Sequence, residues 1–340
     1  MKIGILGLGY WGPNLVRNFL AQNEVEKVIA CDMLKNRLKF IKAKFPAAEL
    51  SDDFNDLLGA GVDVIAIATP VNTHYKFAKK ALESGKHIWV EKPFTSNVRQ
   101  AEELIELADR KNLKIFVDHT FIYTGAVRKM KELVSTGELG NILYFDSVRI
   151  NLGLFQRDIN VIWDLAPHDL SIMNYVISEE KVSAVSAHGI ANYNGKENIA
   201  HLTVYFKDNC LAHFHVNWTS PVKIRKMIVG GNKKMLVFDD MENFEKIKVY
   251  DAGIEMKTNE SIHEALVQYR VGDMYSPKVL QTEALSLGAH EFITAINENR
   301  QPLTSGKDGL DVVKILEASD RSIKNRGEIV EIKSDSFVSA

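Results

Sequence analysis

An apolar run, Lys2-Ile-Gly-Ile-Leu-Gly7, passes straight into Gly7-Leu-Gly9-Tyr-Trp-Gly12, and a helical pattern follows through Leu15, Val16, Phe19 and Leu20. This G-x-G-x-x-G spacing constrains the fold more than any other feature, because it works only between a strand and a helix. Gly7 permits the tight turn, Gly9 lets a pyrophosphate approach bare backbone, and Gly12 lets helix and strand pack closely. The helix start adds N–H groups and a positive dipole end. Asp32 stands twenty residues past Gly12, at the end of the next apolar run. A carboxylate there suits the two hydroxyls of an adenosine ribose and repels a 2′-phosphate, so the turn predicts NAD as cofactor rather than NADP. Arg37 reads as a solvated helix residue.

The alternation continues down the chain. Val62-Asp-Val-Ile-Ala-Ile-Ala68 is almost wholly apolar, as a strand buried on both faces must be. A helical pattern over residues 74–84, with Gly85 just past its end, leads into His87-Ile-Trp-Val90. A second, over residues 97–111, leads into Leu113-Lys-Ile-Phe-Val117. Strands and helices in this order predict an α/β Rossmann domain over residues 1–120, doubly wound around a parallel sheet.

After residue 120 the rhythm changes. Helices are expected over residues 124–136 and 163–177, and alternating strands run from Val182 to Tyr250. Period-two alternation predicts a large open, mostly antiparallel sheet with one packed face. Helices over residues 280–299 and 307–324 close the chain, so residues 121–340 read as an α+β domain for substrate binding and oligomerisation. Val204, Phe206, Phe214 and Val216 make a homodimer or homotetramer the expected assembly, since an exposed apolar sheet face needs covering.

Composition narrows the function classes. Forty-two Lys and Arg against 44 Asp and Glu give a net charge of −2 without charge blocks. That balance argues against a nucleic acid polymer as partner and gives no support to a membrane-surface anchor. The N-terminal apolar run is broken by glycine every few residues, unlike a signal peptide or a membrane span. Cys31 and Cys210 are too few for a disulfide framework and lack zinc-ligand spacing, which points to a reducing cytoplasm. His201, His213 and His215 alternate on strands, but no carboxylate or thiol completes a metal site, and none is expected.

Ala68-Thr-Pro-Val-Asn-Thr-His74, Gly85-Lys-His-Ile-Trp-Val-Glu-Lys-Pro93, Asp164-Leu-Ala-Pro-His168 and Gln301-Pro-Leu-Thr-Ser-Gly306 together carry a pattern. Over nearly its whole length the chain resembles the glucose–fructose oxidoreductase / inositol dehydrogenase / rhizopine catabolism (Gfo/Idh/MocA) family, Glu91-Lys92-Pro93 being the most specific part. The resemblance implies an NAD(P)-dependent dehydrogenase acting on CH–OH groups. It places Lys92 beside the nicotinamide and the reacting hydroxyl, and makes Lys92, Asp164 and His168 catalytic. Thr69, Pro70, Asn72 and His74 then line the cofactor cleft, with Tyr10 and Trp11 of the turn and Glu91 counted in the same site.

Asp164 reads as the N-cap of its helix, with Pro167 in the first turn and His168 four residues on, on the same side. A neutral His168 would take the hydroxyl proton; a helix N-terminus would favour that neutral form, and the neighbouring carboxylate would push the other way. His119, Tyr123, Arg149, Arg157 and Trp163 are expected at the substrate, with Asn217, Lys223 and Arg225 as further diphosphate contacts. Asp169 is expected to be structural. The form of Ile162-Trp-Asp-Leu-Ala-Pro-His-Asp169 resembles the branch that oxidises the 3-hydroxyl of UDP-sugars. A free sugar or inositol as substrate, or a silent NAD-binding sensor, stays open as an alternative.

Overall fold

The computed structural model describes residues 1–59, 61–153, 155, 158–177, 181–193, 195–257 and 266–332. Six short strands build the first sheet: β1 (Lys2–Leu6), β2 (Lys27–Cys31), β3 (Glu49–Ser51), β4 (Val64–Ile67), β5 (His87–Glu91) and β6 (Ile115–Asp118). All five pairings are parallel and the order is β3-β2-β1-β4-β5-β6. Every residue of β4 is buried, which is why its sequence is apolar without alternation. The crossovers carry α1 (Gly12–Leu20), α2 (Lys35–Lys44), α3 (Phe54–Gly59), α4 (Val71–Glu83) and α5 (Val98–Arg110). Strand order reverses between β1 and β4, and the crevice at such a switch point is where this architecture takes its ligand.

A 3-10 turn, Thr120–Tyr123, follows β6. Then come α6 (Gly125–Ser135), β7 (Ile142–Leu152), α7 (Val161–Val176), β8 (Val182–Ile190), β9 (Ile199–Phe206), β10 (Leu211–Asn217), β11 (Thr219–Gly231), β12 (Met235–Asp239) and β13 (Ile247–Tyr250). A separate ribbon pairs β14 (Gly253–Lys257) with β15 (Leu266–Arg270), and β16 (Met274–Tyr275), α8 (Ala284–Asn297), α9 (Gly306–Lys324) and β17 (Val330–Glu331) follow. The second sheet has nine strands in the order β16-β13-β12-β11-β7-β10-β9-β8-β17, antiparallel except where β7 meets β10.

Register shows which face of this sheet is covered. Ser147 and Arg149 of β7 bond to Asp169 of α7, and they pair with Phe214 and Val216 of β10. Partners in register share a face, so Phe214 and Val216 lie under α7, as do Val204 and Phe206 by alternation. The four apolar residues expected to want a partner subunit are therefore already covered within their own unit. The opposite face carries His201, Thr203, Tyr205, His213 and His215.

The chain forms two compact units, residues 1–123 with 282–314 and residues 124–281 with 315–340. This differs from a single cut at residue 120, because the segment from 282 returns to the first unit. Glu283 accepts from Arg17 at 2.8 Å and from Asn18 at 3.2 Å, and the Thr304 carbonyl accepts the Val117 N–H at 2.8 Å. Gly288 of α8 sits against Phe116, Trp89 and Tyr123, where an added Cβ would lie 3.3–3.5 Å from their rings. Among the described residues no helix is long and apolar enough to cross a membrane.

Candidate active site

In the first unit the three glycines of the turn are there for different reasons. Gly7 has φ +93°, and a Cβ on it would lie 2.6 Å from the Ala68 carbonyl oxygen. A Cβ on Gly12 would lie 2.2 Å from the Gly7 carbonyl oxygen, so α1 packs onto the turn only without a side chain there. Gly9 is different: a Cβ on it would meet nothing closer than an Arg37 nitrogen at 4.0 Å. The protein itself does not require glycine at position 9, and the space left over its backbone is what an approaching pyrophosphate needs. Trp11 occupies the N-cap of α1 and supplies no side-chain cap; Pro13 brings no N–H, and the Asn14 N–H donates to the Trp11 carbonyl at 2.9 Å. Tyr10 is 94% exposed beside it.

Asp32 is buried at the end of β2, and its carboxylate is already held. Oδ2 accepts the Leu8 N–H at 2.8 Å and Arg37 at 3.0 Å, and Oδ1 accepts the Leu34 N–H at 2.9 Å. Burial alone would raise its pKa, but these backbone and guanidinium donors hold it below the ordinary value. Arg37 is thus an ion-pair partner of Asp32 rather than a freely solvated residue.

The loops after β4 and β5 are fastened together by His74. Its Nε2 lies 2.8 Å from the Thr69 carbonyl oxygen and its Nδ1 lies 2.9 Å from that of Pro93. Burial pushes its pKa down, against the pull of those two carbonyls. A neutral imidazole donates to only one of them, so His74 is a buried tie within the unit. Thr69 bonds through its hydroxyl to Thr73 at 2.7 Å, Pro70 is the N-cap of α4, and Asn72 is exposed on its first turn.

Lys92 follows β5 directly, within electrostatic reach of Glu91, His74 and His119. His119 is 1% exposed, and among the described residues neither ring nitrogen has a hydrogen-bond partner. Burial first, and then the Lys92 ammonium, push its pKa down to about 3, so it is a neutral imidazole.

In the second unit α7 carries Asp164 and His168 one turn apart on one face. The helix starts earlier than expected: Asn160 is the N-cap, and its side chain accepts the Trp163 N–H at 3.1 Å. Asp164 is therefore inside the helix, and Pro167 is a true interior proline. His168 is the eighth residue, beyond the reach of the helix-start dipole, so that dipole does not explain a neutral imidazole there. Asp164 is oriented from outside its helix, since Trp218 donates its indole N–H to Oδ2 at 3.0 Å.

Comparison with known proteins gives these features a context. Residues 1–119 match the model of the oxidoreductase family with an NAD-binding Rossmann fold, and residues 127–237 match the GFO/IDH/MocA C-terminal domain. The chain belongs to the Gfo/Idh/MocA oxidoreductase family. A 1-carboxy-3-chloro-3,4-dihydroxycyclohexa-1,5-diene dehydrogenase of Comamonas testosteroni is 28% identical over 199 residues, 55% of this chain and 50% of that one. The UDP-N-acetylglucosamine 3-dehydrogenase of Acidithiobacillus ferrooxidans is 25% identical over 321 residues, 92% of this chain and 94% of that one. Its solved structure has a TM-score of 0.78 at 21% identity, covering 96% of this chain and 98% of that one. The WlbA dehydrogenase from Bordetella pertussis, solved with NADH and UDP-GlcNAcA, has a TM-score of 0.81 at 15% identity, covering 98% of each chain. At these identities the solved structures show the fold.

As a Gfo/Idh/MocA oxidoreductase the chain has its NAD-binding fold in the first unit, but several expected substrate residues are committed elsewhere. Arg149 is buried in an ion pair with Asp169, its Nη2 2.5 Å and its Nε 2.7 Å from Oδ1. Asp169 also accepts the Ser147 hydroxyl at 2.7 Å, so its expected structural role has a concrete form. Trp163 donates its indole N–H to Asp320 at 2.8 Å. Tyr123 is buried, 3.0 Å from the Thr304 hydroxyl, with its ring stacked on Phe116. Asn217 accepts from Thr219, and Arg225 bonds to Asp240 at 3.4 Å. Arg157 lies outside the described residues. The sequence does not single out Asp118 or Trp218, because nothing in their own spacing names their partners. Among the described residues no group of three or more His, Cys, Asp or Glu side chains is arranged to hold a metal ion.

Proposed function

We propose that the chain interconverts a secondary alcohol and a ketone on a sugar with NAD, and that the group oxidised is the 3-hydroxyl of a UDP-sugar such as UDP-N-acetylglucosamine or its uronate. The observation that carries the chemistry is the Asp164–His168 pair, with Asp164 held by Trp218. A silent NAD-binding protein has no use for an acid oriented one turn from a histidine. The nucleotide-sugar reading is supported by similarity along nearly the full chain to a UDP-N-acetylglucosamine 3-dehydrogenase.

NAD is held, in this account, by the backbone of the turn through Gly7, Gly9, Tyr10, Trp11 and Gly12, by Asp32, and by Thr69, Pro70, Asn72 and Glu91. The open space over Gly9 and the buried carboxylate of Asp32 both fit that cofactor. His74 keeps the loops after β4 and β5 in place around it. When bound, NAD would supply the acceptor for the hydride that leaves the carbinol carbon. His168 takes the hydroxyl proton on a ring nitrogen, and the Asp164 carboxylate stabilises the imidazolium that results. Lys92 donates a hydrogen bond to the same oxygen and stabilises the charge that develops on it. His119, buried with both nitrogens unpaired, accepts or donates a hydrogen bond to the substrate.

The reading is tested by following NADH absorbance at 340 nm with UDP-N-acetylglucosamine and its uronate, against myo-inositol and free hexoses. Turnover with a UDP-sugar at least about a hundredfold above that with the free compounds is expected, since a bound diphosphate adds several charge-assisted bonds. Turnover confined to inositol or free hexoses overturns the nucleotide-sugar reading and leaves the alcohol chemistry. No turnover with either class, while NAD binds, favours the sensor.

A further inference from the structure

Asp118 ends β6, and in the parallel register it stands directly beside Glu91 at the end of β5. It is 2% exposed, and donors converge on it from separate parts of the chain. The Trp11 indole N–H, from the phosphate turn, donates to Oδ2 at 3.1 Å. The Thr120 hydroxyl donates to Oδ1 at 2.6 Å. The Glu91 carboxyl is hydrogen-bonded to it as well. Two buried carboxyl groups in contact do not both ionise. Burial first and the neighbouring Asp118 second push Glu91 well above its ordinary pKa. Glu91 is therefore the proton donor of the pair, and Asp118 the carboxylate that accepts from three sides.

Two unfilled groups border this network. Among the described residues, Glu91 Oε1 is buried without a hydrogen-bond partner, and so are both nitrogens of His119, the next residue along the chain from Asp118. Unmet buried polar atoms cost about 1–3 kcal/mol each, so they mark a place where a bound group is expected to complete the bonding. The satisfied part of the network reaches the phosphate turn, and the unsatisfied part adjoins Lys92.

We propose that Asp118 is a positioning residue for NAD: through Trp11 and Glu91 it latches the phosphate turn to the strand end that carries Lys92. The latch fixes the spacing between the pyrophosphate cradle and the nicotinamide end of the site before the cofactor arrives. The inference rests on the placement of Lys92 beside the nicotinamide, and it holds whichever sugar is the substrate. A cofactor that spans both ends feels the latch, whereas a fragment confined to the adenosine and pyrophosphate end does not.

The experiment is calorimetric titration of the full chain, as wild type, Asp118→Asn, Trp11→Phe and the double variant, with NAD and with ADP. Asp118→Asn keeps the shape but leaves one oxygen for three donors, and Trp11→Phe removes the indole donor alone. Each single variant is expected to bind NAD about tenfold more weakly, with ADP affinity changed by less than about threefold. The double variant is expected to be no weaker than the weaker single, because both substitutions break one bond. Losses that add, equal losses for NAD and ADP, or unchanged NAD affinity would each overturn the proposal. Should Asp118→Asn fail to fold, the NAD-against-ADP split in Trp11→Phe decides alone. No sugar enters the titration, so its outcome is independent of the substrate reading.

Discussion

Trp218 donates its indole N–H to Asp164 Oδ2 at 3.0 Å, and this bond aims an acid that the helix by itself leaves with several rotamers. Trp218 is fully buried and lies 54 residues further along the chain. Gly153 makes room for it, since a Cβ there would lie 2.4 Å from the indole ring. Trp218→Phe keeps most of the packing and removes the donor. Turnover is expected to fall about tenfold with NAD affinity unchanged, the loss of one hydrogen bond from a group acting through His168. Steady-state rates beside a calorimetric NAD titration check this, and an equal loss in both would assign Trp218 to general stability.

The turn glycines separate folding from binding. Gly12→Ala sets a methyl group 2.2 Å from the Gly7 carbonyl oxygen, so it is expected to lower the melting temperature sharply. Gly9→Ala meets no protein atom closer than 4.0 Å and is expected to melt within about 2 °C of wild type. Its NAD affinity is nonetheless expected to fall at least about tenfold, because the methyl group occupies the pyrophosphate approach. Thermal melts with and without NAD distinguish the two.

Arg149 and Asp169 are both 2% exposed at the side chain and pair under α7. Arg149→Met leaves a buried carboxylate with only the Ser147 hydroxyl from this group, and a cost of about 3–5 kcal/mol is expected in urea unfolding. Combining Arg149→Met with Asp169→Leu removes both charges at once and is expected to recover most of that loss. A rise in substrate KM with stability intact would instead return Arg149 to the substrate site.

Glu91 and His119 give stability a pH dependence of predictable sign. The unfolded chain releases the Glu91 proton near its ordinary value of 4.5, while the fold, by burial and the Asp118 charge, retains it. Above 4.5 the folded state binds more protons, so this group's contribution falls as pH rises towards its raised folded value. Glu91→Gln is therefore expected to gain stability relative to wild type as pH rises above 5, by up to about 1.4 kcal/mol per pH unit until the raised folded value is reached. His119 acts in the opposite sense: its unfolded form charges below 6.5 and its folded form only near 3, so stability is lost as pH falls between them. His119→Phe is expected to flatten that acid limb. Urea unfolding at unit pH steps measures both.

The backbone requirements of the first unit are almost completely legible in the sequence. Gly7 and Gly12 are demanded by contacts within a few residues of themselves or one strand away, and the apolar strands announce burial on both faces. Less of the site is legible, because side-chain partners are set by the fold. Arg149, Trp163 and Tyr123 have the chemistry of ligand contacts, yet their partners Asp169, Asp320 and Thr304 stand 20, 157 and 181 residues away. The start of α7 is ambiguous in the sequence because Asn160 and Asp164 are both good caps, and only Asn160 reaches the Trp163 N–H. The return of residues 282–314 to the first unit is hidden for a related reason. Helical periodicity shows that α8 has a buried face, but not which unit it is buried against.

The central claim is that Lys92 and His168 carry the oxidation while other residues hold the cofactor. Turnover of Lys92→Ala and His168→Ala with the best UDP-sugar, measured by NADH absorbance beside a calorimetric NAD titration, tests it most directly. Both variants are expected to bind NAD within about fivefold of wild type and to lose at least about a thousandfold in kcat. Turnover within about tenfold of wild type in either variant would contradict the account.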